Sequence, residues 1–137
     1  MAFVHKKGKT RLEWLPVTTS TALAIDTIVE WTSGLIAGAD DNDTYVAGVL
    51  AKTIASTDDD YATSRKVPVR IPVERHVLWE ADTADTFVQA THGGVECGIV
   101  DSANLDLDDT TNDVFLPIGP GSTSLKVIGY LKVNGAY

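Results

Sequence analysis

Three histidines, His5, His76 and His92, and a lone Cys97 are the residues of this 137-residue chain best suited to proton or acyl transfer. Such chemistry needs a nucleophile within hydrogen-bond reach of a base that a third group orients. His5 lies in a basic N-terminal stretch, and His76 follows Glu74 and Arg75 on the polar side of an alternating segment. His92 opens His-Gly-Gly, a faint echo of the backbone-donor segment of hydrolase oxyanion holes. No Gly-x-Ser-x-Gly accompanies it, and a β-turn is the expectation. Cys97 has no flanking cations to lower its pKa.

Metal chemistry has little more to work with. Zinc wants clustered Cys and His, and there is one Cys. The acidic loops 40–43, 58–60 and 106–113 carry oxygen ligands of the kind calcium takes. In Asp106–Pro117, however, Thr111 stands where an EF-hand needs its turn glycine and Pro117 where it needs the closing glutamate. Solvated loops are the expectation there. The Gly-rich stretches match no phosphate loop. The sequence therefore predicts no catalytic residue, no metal site and no cofactor.

Charge narrows the partners. Residues 1–12 hold Lys6, Lys7, Lys9 and Arg11 with no acid, while the whole chain is at −8, so the remainder stands at −12. An acidic body repels phosphates, which argues against direct nucleic-acid binding. The basic head suits an acidic protein surface. No apolar run reaches the roughly 20 residues of a membrane span, and the N-terminal sequence lacks a secretory pattern. The single cysteine fits synthesis in a reducing cytoplasm.

The elements that must position these groups read as strands. Thr and Val are the commonest residues, and both favour the pleated sheet. Period-two alternation places Leu23, Ile25, Val29 and Trp31 on one face, and Leu125, Val127, Leu131 and Val133 on another. Shorter strands are expected in YVAGVLAKTI, TFVQA, VECGIV and VFLPI, separated by turn formers such as GADDND, STDDD, HGG and GPGS. STALAIDTIVEWTSG also admits a helix, though its β-branched content favours strand. Gly48, Gly98 and Gly129 each interrupt an apolar strand, where glycine marks a bulge, a bend or a close backbone approach. The fold class predicted is all-β: a small single-domain β-barrel or β-sandwich over residues 16–137, with an extended N-terminal arm over residues 1–15.

The strongest strand is KVPVRIPVERHVLWEA, residues 66–81, with Val67, Val69, Ile71, Val73, Val77 and Trp79 on one face. Pro68 and Pro72 interrupt the other face. Amides two or four residues apart point to the same side, so both prolines disable one side and leave only Arg70 to donate between them. This predicts an edge strand protected against pairing, centred on Pro68, Arg70 and Pro72. Arg75 breaks the apolar file, which predicts a bulge or corner near residues 74–76.

The order of these elements, from LAIDTIVEW through VAGVL and an acidic linker to VPVRI and a closing VIGYLKV, resembles the capsid decoration (head-stabilising or cement) proteins of tailed bacteriophages. The resemblance covers roughly residues 17–133 and lies in pattern rather than in a diagnostic motif. It implies a structural virion protein on the outer surface of an icosahedral head, contacting the major capsid protein where capsomers meet. It implies a homo-oligomer, with a trimer favoured and a dimer possible. The arm falls outside the resemblance. Its cations Lys6, Lys7, Lys9 and Arg11, and its apolar Phe3, Val4, Leu12, Trp14 and Leu15, are the residues expected to reach the capsid, and TRLEWL can also pair with a neighbour as an added strand. Two other classes stay open: a tail, connector or fibre-base protein, and a carbohydrate-binding β domain using Trp14, Trp31 and Trp79. Trp31 and Trp79, however, fall on expected core faces.

Overall fold

The computed structural model describes residues 2–41 and 45–137. The described residues form eleven strands and one short helix. The strands are β1 (Phe3–Lys7), β2 (Thr10–Pro16), β3 (Ile28–Thr32), β4 (Leu35–Gly38), β5 (Val46–Leu50), β6 (Lys66–Pro72), β7 (Leu78–Asp82), β8 (Gly98–Asp101), β9 (Asn104–Asp106), β10 (Phe115–Pro120) and β11 (Lys126–Leu131). The helix, α1, spans Gln89–His92, so TFVQA is not a strand. Of the ambiguous segment 20–34, residues 28–32 form a strand and none are helical.

Two antiparallel sheets carry the fold. One has the order β1-β7-β11-β10 and the other β2-β6-β5-β3-β4, while β8 and β9 form a small ribbon. One continuous core joins them: Phe3, Trp79, Phe115, Val127 and Leu131 from the first sheet meet Val29, Val49, Val67 and Val69 from the second. Phe3 and Phe115 meet edge to face with centroids 6.4 Å apart, the favoured geometry for aromatic pairs. The all-β expectation holds, but the barrel does not close. The outer strands β2 and β4 touch at one parallel bridge, Val17 to Ile36, and no ladder joins them elsewhere.

The N-terminal arm is not an arm. β1 pairs with β7 (Phe3 opposite Ala81, His5 opposite Trp79), and β2 pairs with β6 along its whole length. Gly8, at φ +98°, makes the turn between them; a side chain there would be strained and would press on Val77. The basic residues thus decorate two integrated strands, one in each sheet. Non-local pairing of this kind leaves no mark in composition.

The long strand at 66–81 is likewise two strands. β6 ends at Pro72, His76 turns the chain at φ +60°, and β7 begins in the other sheet. The corner expected near 74–76 is therefore where the chain changes sheets. Val73 becomes exposed as a result, while Val77 and Trp79 stay buried. β6 also is not an edge: it lies between β2 and β5. The missing amides of Pro68 and Pro72 face β5, because Ala51 N–H donates to Pro68 O (3.0 Å) on that side. There the ladder is short, with Val49 opposite Arg70 and Leu50 opposite Val69. Gly48 sits beside it, where a Cβ would come within 2.8 Å of Arg70 O. Prolines and glycine together mark the place where two backbones approach closely and then part.

Candidate interaction surface

β2 is a terminal strand of its sheet, and its two sides differ along most of its length. Val17 N–H donates to Arg65 O (2.8 Å) and Val73 N–H to Lys9 O (3.0 Å). These bonds turn the odd-numbered residues Arg11, Glu13 and Leu15 toward β6, opposite Ile71, Val69 and Val67. By alternation, the N–H and C=O groups of Thr10, Leu12 and Trp14 turn to the other side. Among the described residues no strand lies there. Only beyond Pro16 does β4 arrive, where Thr18 N–H donates to Ile36 O (3.0 Å).

The other sheet edges are covered in part. Phe3 N–H of β1 reaches Asp26 O (2.9 Å), and Gly94 and Cys97 N–H reach Pro117 and Phe115 of β10 (2.8 Å each). On β4, the Ile36 carbonyl takes Thr18 as above. Among the described residues, the stretch Thr10–Trp14 is an open edge running through three successive outward-facing residues.

Side chains give this edge its character. Leu12 (47 % exposed) and Trp14 (59 %) stand on the outer face, in register with Arg70 and Pro68. Arg70 Nη1 donates to Thr10 Oγ1 at 3.1 Å, tying the start of the edge to β6. On the opposite face Arg11 and Glu13 form an ion pair at 2.7 Å. Arg11 also borders an open groove of about 400 Å³, whose other walls include Ile71, Glu74, Asn134 and Tyr137.

The cations of residues 1–12 divide. Lys6 lies 3.9 Å from Glu80, and Arg11 is held by Glu13. The Lys9 backbone N–H donates to Glu74 Oε1 (2.8 Å). The ammonium groups of Lys7 and Lys9 make no ion pair among the described residues, and both side chains point from the turn into solvent-exposed positions. The apolar residues divide as well. Phe3 is fully buried, Val4 and Leu15 are half-buried, and Leu15 packs on the core, so Phe3 is withdrawn from the expected partner surface. The surface brings together Lys7, Lys9, Arg11, Leu12 and Trp14. Pro68, Arg70 and Pro72 back it from the neighbouring strand instead of forming an edge.

The groups suited to chemistry are dispersed. His5 Nε2 lies 2.7 Å from Gly8 O, with its ring edge-on to Trp79, and His76 stacks on Tyr130 at 4.8 Å. His92 is buried; its Nδ1 accepts Val88 N–H (2.9 Å), so the neutral ring carries its proton on Nε2, 3.7 Å from Asp108 Oδ1. None of the three bonds a Ser, Thr or Cys side chain among the described residues. Burial, reinforced by Asp113, Asp106, Asp109 and Asp85, pushes the Cys97 thiol up to about 12, the wrong direction for a nucleophile.

The acidic loops differ in kind. Of loop 40–43, Asn42 and Asp43 lie outside the described residues. In loop 58–60, Arg65 clamps Asp58 and Asp60 at 3.1 Å each. In loop 106–113, Asp109 Oδ1 accepts Thr111 N–H (2.9 Å) and Thr111 Oγ1–H (2.8 Å), bonds that lower its pKa. Carboxylate oxygens of Asp85, Asp106 and Asp108 lie within 4.8 Å of one another, a donor set that suits a hard cation. Asp85 was invisible to the sequence reading because it comes from a separate turn; its Oδ2 accepts Leu107 N–H at 3.1 Å and so ties that turn to this loop. Glu96, Asp113 and Tyr137 form a second acidic group missed for the same reason. Burial first, and then Glu96, raises the pKa of both Asp113 and Tyr137.

No described helix is long and apolar enough to cross a membrane. No family model, curated protein or solved structure matches the chain.

Proposed function

We propose that this chain is a structural virion protein of the capsid decoration kind. It binds the major capsid protein on the outside of an icosahedral phage head and braces contacts between capsomers. The observation that carries the proposal is the β1–β2 corner and the strand that leaves it: exposed Lys7 and Lys9 flank the turn, and β2 carries Arg11 on one face and exposed Leu12 and Trp14 on the other, on an otherwise acidic body. Trp and Arg are among the types enriched in protein interfaces, and exposed lysines steer a basic corner toward an acidic partner. The element order supports the same reading through its resemblance to decoration proteins.

The mechanism is adhesion. The corner is held in the fold by two ladders, so little ordering entropy is lost on docking. Each copy adds a modest interface, and many copies on one lattice act together.

The test is to add purified protein to shells that lack it and to image the particles. Density over capsomer junctions is expected, and Lys7→Glu with Lys9→Glu should reduce occupancy, most at low salt. Absence of wild-type density, or full occupancy by the double variant at limiting concentration, would overturn the proposal.

A further inference from the structure

We infer that two copies of this chain associate through their β2 edges, forming one continuous sheet across a two-fold axis at Leu12. The inference deepens the proposed function and rests on it only for the setting, a surface on which copies stand close together.

Three observations converge. Among the described residues, the outward main-chain groups of Thr10, Leu12 and Trp14 have no strand beside them, while bonds to flanking segments occupy part of each other edge. No proline interrupts the stretch before Pro16, so every outward donor is present. The sequence of the edge is also self-complementary about Leu12. In an antiparallel pair centred there, Leu12 faces Leu12 of the second copy and Thr10 faces Trp14. All these residues turn their backbone outward, so each such pair exchanges two hydrogen bonds. On the opposite face Arg11 then stands across from Glu13 of the second copy, and Glu13 across from its Arg11. Opposite charges directly across an antiparallel pair are stabilising and like charges destabilising.

The same register covers the exposed Leu12 and Trp14 side chains. It stops where it should: Pro16 has no donor, and Thr18 is already bonded to Ile36. A single pair of short strands is a small interface, so the dimer is weak in dilute solution and favoured by the high local concentration of a decorated surface. The symmetry is two-fold, which selects a dimer over the trimer that the family resemblance implies.

Purified full-length protein, with no shell present, provides the test by sedimentation over a wide concentration range. Glu13→Arg sets Arg11 against a new arginine on both sides of the axis and should weaken dimerisation by about tenfold. Arg11→Glu should do the same. An equimolar mixture of these two variants restores both opposite-charge pairs and should recover dimers, as should the double swap in one chain. Leu12→Cys should form a linked dimer on mild oxidation, since Cα atoms of such a pair lie about 5.5 Å apart. Val88→Cys, equally exposed on another part of the surface, should not. The native Cys97 is buried and does not interfere. No gain in the mixture over either variant alone, or cross-linking of Leu12→Cys no faster than Val88→Cys, would overturn the inference. Shell binding is read separately: dimers without shell binding would leave the inference standing and remove the proposed function.

Discussion

β2 and β6 are neighbouring seven-residue strands, paired from Thr10–Pro72 to Pro16–Lys66, yet they meet opposite fates. β6 carries Pro68 within it as well as Pro72 at its end, and has a partner on each side. β2 has no proline before its last residue, and one of its sides is open. Proline in this sheet is therefore not a guard at the rim. It thins the ladder toward β5, where Gly48 brings the backbones together, and the rim is left with all its donors. The difference also separates two jobs: β6 contributes fully buried Val69 to the core, and β2 contributes exposed Trp14 to the surface.

The largest effect expected from breaking this arrangement is removal of residues 1–15. If they were a tail, the domain would remain folded. As strands of both sheets, they take with them the buried Phe3 and nearly all of β2, one of the two partners of β6, and cooperative unfolding should be lost in calorimetry. Phe3→Ala alone should cost about 3–5 kcal/mol in denaturant titration. The β2–β6 contrast is sharpened by one register pair. Ile71→Ala should cost about 2 kcal/mol or more, while Arg11→Ala, directly opposite, should stay within about 0.5 kcal/mol.

Smaller again is the effect of replacing Pro68 and Pro72 with Thr. The restored amides face β5 inside the sheet, so concentration-dependent association should not increase. A rise in sedimentation coefficient would mean that β6 lies at an edge after all. Smallest is Asp113→Asn, outside both strands. The folded-state pKa of Asp113 is raised above the ordinary 3.8 by burial and by Glu96. The folded protein then binds the proton more tightly than the unfolded one, so this group's contribution is most favourable below about pH 4 and is lost as pH rises through the raised value. The variant should melt slightly higher than the parent at pH 7, and the gap should close on acidification.

Much of the fold was legible in the residues. Alternation marked β6 and β11, the apolar VAGVL run marked the fully buried β5, and Gly48 and Gly129 do sit at close backbone approaches; a Cβ at Gly129 would collide with Leu116 O. Partner choice was not legible. Side-chain alternation shows which face of a strand is buried, but a missing N–H says only that one side lacks a donor, not whether that side is open. Pro68 and Pro72 were read as facing solvent for that reason, and the basic character of residues 1–12 hid two strands. Trp31 also escaped the pattern: β3 buries both Ile28 and Val29, and Trp31 is 38 % exposed, with its indole N–H on Asn134 Oδ1. For the interaction surface, the residues Lys7, Lys9, Arg11, Leu12 and Trp14 were visible in advance, but the rigid edge that presents them was not.

Amide hydrogen exchange along β2, followed residue by residue in dilute monomeric protein, tests the central claim most directly. An integrated strand with one open side should alternate: Arg11, Glu13 and Leu15 protected by β6, and Thr10, Leu12 and Trp14 exchanging rapidly. Uniformly fast exchange across residues 10–15 would mean that β2 is a free arm, and uniformly slow exchange would mean that its outer edge is already covered; either result would contradict the account.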